Sequence, residues 1–212
     1  NYLNKFKEKC VVIPFGIEIE KFKLTEEIKN EAFAIKSKFG SPLVLAVGRL
    51  VYYKGFKYLI EAAQNVDAKF LIIGNGPLER ELKNLINKLG LENKVFIISS
   101  VKNLIPYYYA CDVFVLPSIF KSETFGIVLL EAMACGKPII STELGTGTSW
   151  ININNQTGFV VDPQNSKELA EKIDLILKDA NLRKKFEANA LRRAKDFSIE
   201  SFINNLEKEI LI

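Results

Sequence analysis

Between Pro42 and Ser141 the chain returns five times to a short apolar run, and a stretch with helical periodicity or a loop separates each return. The runs are Pro42–Gly48, Phe70–Gly74, Lys94–Ile98, Asp112–Pro117 and Pro138–Ser141, with Gly158–Val161 as a sixth beyond them. Runs that do not alternate apolar with polar suit parallel strands covered on both faces. The intervening stretches read as amphipathic helices over Gly55–Val66, Leu78–Leu89 (closed by Gly90), and through Tyr107-Tyr108-Tyr109. Strand and helix in alternation specify a parallel sheet joined by right-handed crossovers. The expectation is an α/β, Rossmann-like doubly wound sheet of about six strands with a C-terminal helical tail.

The flanks complete a single domain. Cys10-Val11-Val12-Ile13-Pro14 reads as a short strand ending in the Pro14-Phe15-Gly16 turn, and Thr25 opens a charged helix to Lys38. From Ser166 the pattern is helical, with further stretches over Leu182–Phe197 and Phe202–Ile212. The division is therefore 1–41 lead-in strand and helix, 42–165 α/β core, and 166–212 C-terminal helices.

Several function classes fall away on composition. The net charge is only +4, with Lys and Arg interleaved among Glu and Asp, whereas a nucleic-acid partner calls for a clustered basic face. No apolar stretch reaches 18 residues, and Asn1–Lys9 lacks the apolar segment of a signal peptide, so a cytoplasmic protein is expected. The chain contains no His, which removes His-based triads and His metal sites. Cys10, Cys111 and Cys135 are unclustered and border or interrupt apolar runs, as reduced, packed thiols do. There is no Asp-x-Asp pair to clamp a metal on a diphosphate, so neither metal nor cofactor is expected.

In open α/β sheets ligands bind beyond the carboxyl ends of the strands. The loops there carry Gly48-Arg49 with Lys54-Gly55, then Gly74-Asn75-Gly76-Pro77, then Ser118 to Gly126, then Thr142 to Ser149. Cations beside Gly-rich turns and helix starts suit phosphate. Ile127–Cys135 is apolar at every position but Glu131, and a carboxylate in dry surroundings needs solvent, a cation or a bound donor. Glu123 lies just before this helix, and Phe125-Gly126 lets a ligand approach the backbone. An ionised carboxylate only accepts, so it suits hydroxyls. Phosphate and hydroxyls together describe a nucleotide-sugar. Each residue also suits a blander part: a solvated cation, a helix-end charge partner, a tight turn at Gly74–Pro77. The dinucleotide fingerprint and the Walker pattern are both absent.

Gly48-Arg49-Leu50 with Lys54-Gly55, Gly74–Pro77, Asp112–Ser118 and Glu123 through Pro138 resemble the retaining glycosyltransferases of group 1 (family 4). The resemblance runs from about Val12 to Phe197 and covers that family's C-terminal, donor-binding half of two facing Rossmann-like domains. Phe15 stands where the family usually has Asn. The resemblance implies that Arg49 and Lys54 hold the donor diphosphate as it leaves. It implies that Glu123 bonds sugar hydroxyls, helped by N–H groups at Phe125, Gly126 and Ile127, with Gly48 and Gly74 lining the approach. Glu131 would accept from the ribose hydroxyls, and the backbone at Ser100 and Val101 would meet the base. It implies metal-independent transfer from a nucleotide-sugar, in surface polysaccharide or glycolipid synthesis. The partner is an absent acceptor-binding half, through which the protein would touch the inner membrane face, and the isolated domain would not transfer. An epimerase or phosphorylase half and a non-catalytic nucleotide-sugar-binding module remain as alternatives.

Overall fold

The computed structural model describes residues 2–210. Asn1 and the last two residues of the expected terminal helix, 211 and 212, lie outside the described residues. Six parallel strands make one sheet: β1 (Leu43–Val47), β2 (Lys69–Ile73), β3 (Val95–Ile98), β4 (Val113–Leu116), β5 (Ile139–Thr142) and β6 (Gly158–Val161). Their order is β3-β2-β1-β4-β5-β6. The helices are α1 (Glu26–Phe39), α2 (Phe56–Ala62), α3 (Glu79–Lys88), α4 (Ile105–Ala110), α5 (Ile127–Ala134), α6 (Gly147–Ile151), α7 (Ser166–Lys178), α8 (Ala180–Lys195) and α9 (Ile199–Ile210). This is the doubly wound α/β fold with a helical tail that the alternating runs specify.

The unbroken apolar runs are explained by burial on both faces. Val44, Ala46, Phe70, Ile72, Val113 and Val115 point into one core with α2, α3 and α7. Their neighbours Leu43, Leu45, Val47, Leu71, Ile73, Phe114 and Leu116 point into a second core with α4, α5 and α8. Each fully buried Leu, Ile or Phe contributes about 2 kcal/mol of transfer free energy. Polar groups that enter these layers are paired. Fully buried Asn152 donates to Ser141 Oγ (2.9 Å) and to the Phe159 carbonyl (2.8 Å), and accepts from Thr157 Oγ1 (2.8 Å). That fixes the end of α6 to β5 and β6.

Helix starts follow their caps. Thr25 accepts the Ile28 N–H at the head of α1, Asn165 accepts from Glu168 at α7, and Asp179 accepts from Asn181 and Leu182 at α8.

Three expectations are corrected. The lead-in strand over Cys10–Pro14 does not form: Val11 is 60% and Val12 82% exposed, and pairing is confined to an isolated bridge between Ile17 and Ser198. The stretch has strand-forming residues but no neighbouring strand to join. Cys10 is exposed, not packed, for the same reason. Cys111 and Cys135 are buried as expected, and burial pushes the Cys111 thiol up to about 12 and the Cys135 thiol upward as well, so both are poor nucleophiles. Finally, the loop after β5 folds into α6, whose Gly-Thr-Ser start carries no apolar periodicity.

Candidate functional site

The sheet changes winding direction between β1 and β4, because β1 is followed by β2 on one side and β4 lies on the other. Such a switch point opens a crevice at the carboxyl ends of the strands. Two loops meet across it: residues 48–55 after β1 and residues 117–126 after β4. The Ile119 N–H donates to the Tyr53 carbonyl at 2.7 Å, and Tyr52 packs against Phe120 with ring centroids 5.8 Å apart. A Cβ added at Gly55 would lie 2.0 Å from the Pro117 carbonyl oxygen, so that position admits no side chain.

At the floor of this junction Lys54 Nζ lies 2.5 Å from Glu123 Oε2. The two side chains are only 12% and 9% exposed. Ser118, fully buried, donates its hydroxyl to the same Oε2 at 2.8 Å. Glu123 Oε1 takes no hydrogen bond among the described residues. The Lys54 ammonium lies close to Gly48, where an added Cβ would be 3.5 Å from Nζ. Arg49 is exposed, and its guanidinium has no ion pair or hydrogen bond among the described residues. Gly74, after β2, presses its backbone on Gly48: an added Cβ would lie 1.9 Å from the Gly48 oxygen.

Beyond Glu123 the chain turns at Gly126 (φ +82°) into α5, with Ile127 half exposed at its start. The first N–H groups of a helix have no intrahelical acceptor, and this one is not closed by a side-chain cap. Phe125, Gly126 and Ile127 thus present donors beside a cation and an acceptor. One turn on, roughly 6 Å along the axis, stands Glu131. Its Oε2 accepts the Tyr108 O–H at 2.5 Å, and its Oε1 takes no hydrogen bond among the described residues. The partner of this solitary carboxylate is therefore a phenol, not a cation. Burial first, and then the Glu131 charge, hold the Tyr108 hydroxyl well above its usual pKa, so it stays a donor at physiological pH.

Ser100 and Val101 sit after β3 at the same end of the sheet. They line a groove of about 810 Å³ that runs along β3 past Phe96, Ile98 and Tyr107, and that none of Gly48, Lys54, Glu123 or Glu131 lines. The structure brings Gly48, Lys54, Gly74 and Glu123 together and sets Ser100 and Val101 apart on the edge side. Ser118 and Thr146 were not singled out by sequence. Thr146 Oγ1 donates to the Glu123 carbonyl at 2.8 Å, and the Gly147 N–H donates to the Thr124 carbonyl at 2.8 Å. Both are ordinary hydroxyl residues in loops, where neither spacing nor charge marks them.

The family described as glycosyl transferases group 1 matches residues 27–193. This chain belongs to that family. The domain is 32% identical over 211 residues to the O-antigen chain mannosyltransferase C of Escherichia coli, covering 95% of this chain and 55% of that protein. Among solved structures, the C-terminal domain of a group 1 glycosyl transferase from Francisella tularensis superposes with a TM-score of 0.75 at 25% identity. That match covers 87% of this chain and all of the other. Anabaena Alr3699/HepE in complex with UDP superposes with a TM-score of 0.82 at 25% identity, over 91% of this chain and 55% of that one. The chain spans about half the length of the curated relatives it matches. This glycosyltransferase domain contains no helix, among its described residues, long and apolar enough to cross a membrane.

Proposed function

We propose that this domain binds the nucleotide-sugar donor of a glycosyltransferase that builds a surface polysaccharide or glycolipid. The observation that carries the reading is the Lys54–Glu123 pair at the β1/β4 switch point, beside the open start of α5. A buried cation, a carboxylate acceptor and free N–H donors within one crevice are what a sugar diphosphate requires. Lys54 and Arg49 neutralise the diphosphate. Glu123 Oε1 and the N–H groups at Phe125, Gly126 and Ile127 hold sugar hydroxyls. Glu131, oriented by Tyr108, accepts from the ribose, and the backbone at Ser100 and Val101 meets the base.

Cleavage of the sugar–phosphate bond leaves positive charge on the sugar and a departing diphosphate. Fixed cations and helix-end dipoles favour that separation, and losing one such group typically costs about 3 kcal/mol at the transition state. Transfer proceeds without a metal and with retained anomeric configuration. In this reading the positive charge that balances the diphosphate comes from Lys54 and Arg49.

A thermal-shift panel of UDP-, GDP- and ADP-sugars, run with and without EDTA, tests the reading. One base series is expected to raise the unfolding midpoint, equally with and without the chelator. No shift in any series would defeat it, and a shift lost in EDTA would defeat the metal-independent part.

The acceptor site belongs to a second half of the kind that lengthens the relatives. Purified, these 212 residues are expected to bind donor but to release no nucleoside diphosphate when a sugar acceptor is added. Sustained release in a coupled assay would overturn that expectation.

A further inference from the structure

Glu123 is held from more sides than a ligand-binding carboxylate needs in order to reach a sugar. Lys54 and Ser118 share its Oε2, Thr146 holds its carbonyl, and the next residue's carbonyl takes the Gly147 N–H. Ser118 is itself fixed, fully buried with its carbonyl accepting the Thr142 hydroxyl. The same Lys54 is the cation that a bound diphosphate must recruit, so an arriving ligand competes with Glu123 for one ammonium. A carboxylate this deeply buried is costly once its cation turns away, unless another donor stays on it.

We propose that Ser118 is the positioning residue of Glu123. It keeps Oε2 in place as Lys54 turns to the phosphates, so the Lys54–Glu123 contact is a resting latch that the diphosphate opens. The inference rests on the functional reading above and adds to it a residue that never touches the ligand. Oε1, free of hydrogen bonds among the described residues, then faces the sugar in a fixed direction.

The latch predicts opposite signs for two neighbouring substitutions. Glu123→Gln removes the competing charge and leaves Lys54 seeking an anion, so a nucleoside diphosphate binds about tenfold tighter. Ser118→Ala leaves Glu123 dependent on Lys54 alone, so the latch is harder to open and the diphosphate binds about tenfold more weakly. In the Glu123→Gln background, Ser118→Ala changes affinity less than twofold, because no charge is left to hold.

Calorimetric titration of UDP, GDP and ADP into the wild-type chain, both single variants and the double variant tests this. Opposite signs with the Ser118 effect vanishing in the double variant support the proposal. An equal loss from Ser118→Ala in both backgrounds would mean that the hydroxyl merely packs the loop, and would overturn it. So would weaker diphosphate binding by Glu123→Gln. Should Ser118→Ala fail to fold, Ser118→Cys, similar in size with a weaker donor, enters the same cycle under the same criteria. If the wild type binds none of the three, the functional reading falls and the latch with it. Binding by the wild type with unchanged variants defeats the latch alone.

Discussion

Lys54→Ala is expected to weaken nucleoside diphosphate binding about a hundredfold, the largest loss of any single side chain at the site. A hundredfold loss corresponds to about 3 kcal/mol, the usual cost of deleting a desolvated charge that meets a charged ligand. Its position explains the size. The side chain is 12% exposed and its ammonium sits close to side-chain-free Gly48. Arg49 is exposed and unpaired among the described residues, so solvent screens its charge and its truncation should cost only about fivefold. Lys54→Arg should not restore binding, because a planar guanidinium on a longer side chain does not reproduce the compact ammonium's position beside Gly48. Titration of the three variants checks the ranking. An Arg49→Ala loss equal to that of Lys54→Ala would show that the buried cation is not the principal anchor.

Gly74→Ala should have a large effect on folding. At φ +155° an L side chain is strained, and the new methyl would lie 1.9 Å from the Gly48 oxygen, a distance no rotamer relieves. Either β2 retreats from β1 or the turn unfolds. The expected cost is at least about 3 kcal/mol, which lowers the unfolding midpoint by roughly 6–12 °C in a domain of this size. Gly145→Ala is the comparison. It too has positive φ (+61°), but an added Cβ meets nothing within 4 Å, so it should lose only about 1 kcal/mol. Equal midpoints for the two variants would show that close backbone approach at Gly74 is not what matters.

The fold was legible because its strands are buried on both sides. Each of β1 to β6 announced itself as an apolar run, and Gly90, Thr25 and Ser166 marked helix ends that the structure keeps within a few residues. The Cys10–Pro14 stretch shows the limit of that signal. Valine and isoleucine favour an extended chain, but a strand also needs a neighbour, and the local pattern does not say whether one exists. Glu131 was legible as an anomaly, although its Tyr108 partner was not, since a tyrosine 23 positions away carries no spacing cue. Ser118 was illegible for the same reason. Its importance lies in complete burial and in which oxygen it donates to, and both are products of the fold.

The pressed backbones of Gly48 and Gly74 have a further consequence for how the sheet assembles. In a sheet with one wet face, sliding a strand by a single residue exposes its grease, and that penalty sets alignment. Here such a slide would merely exchange one oily layer for the other, at little cost in hydrophobicity. Alignment between β1 and β2 must come from elsewhere, and Val47 opposite Ile73 leaves the two bare glycines stacked directly above. A one-residue slip would set Ile73 or Asn75, each with a side chain, against the Gly48 carbonyl. The bare turns therefore favour this alignment over the one-residue slip, before any ligand is present.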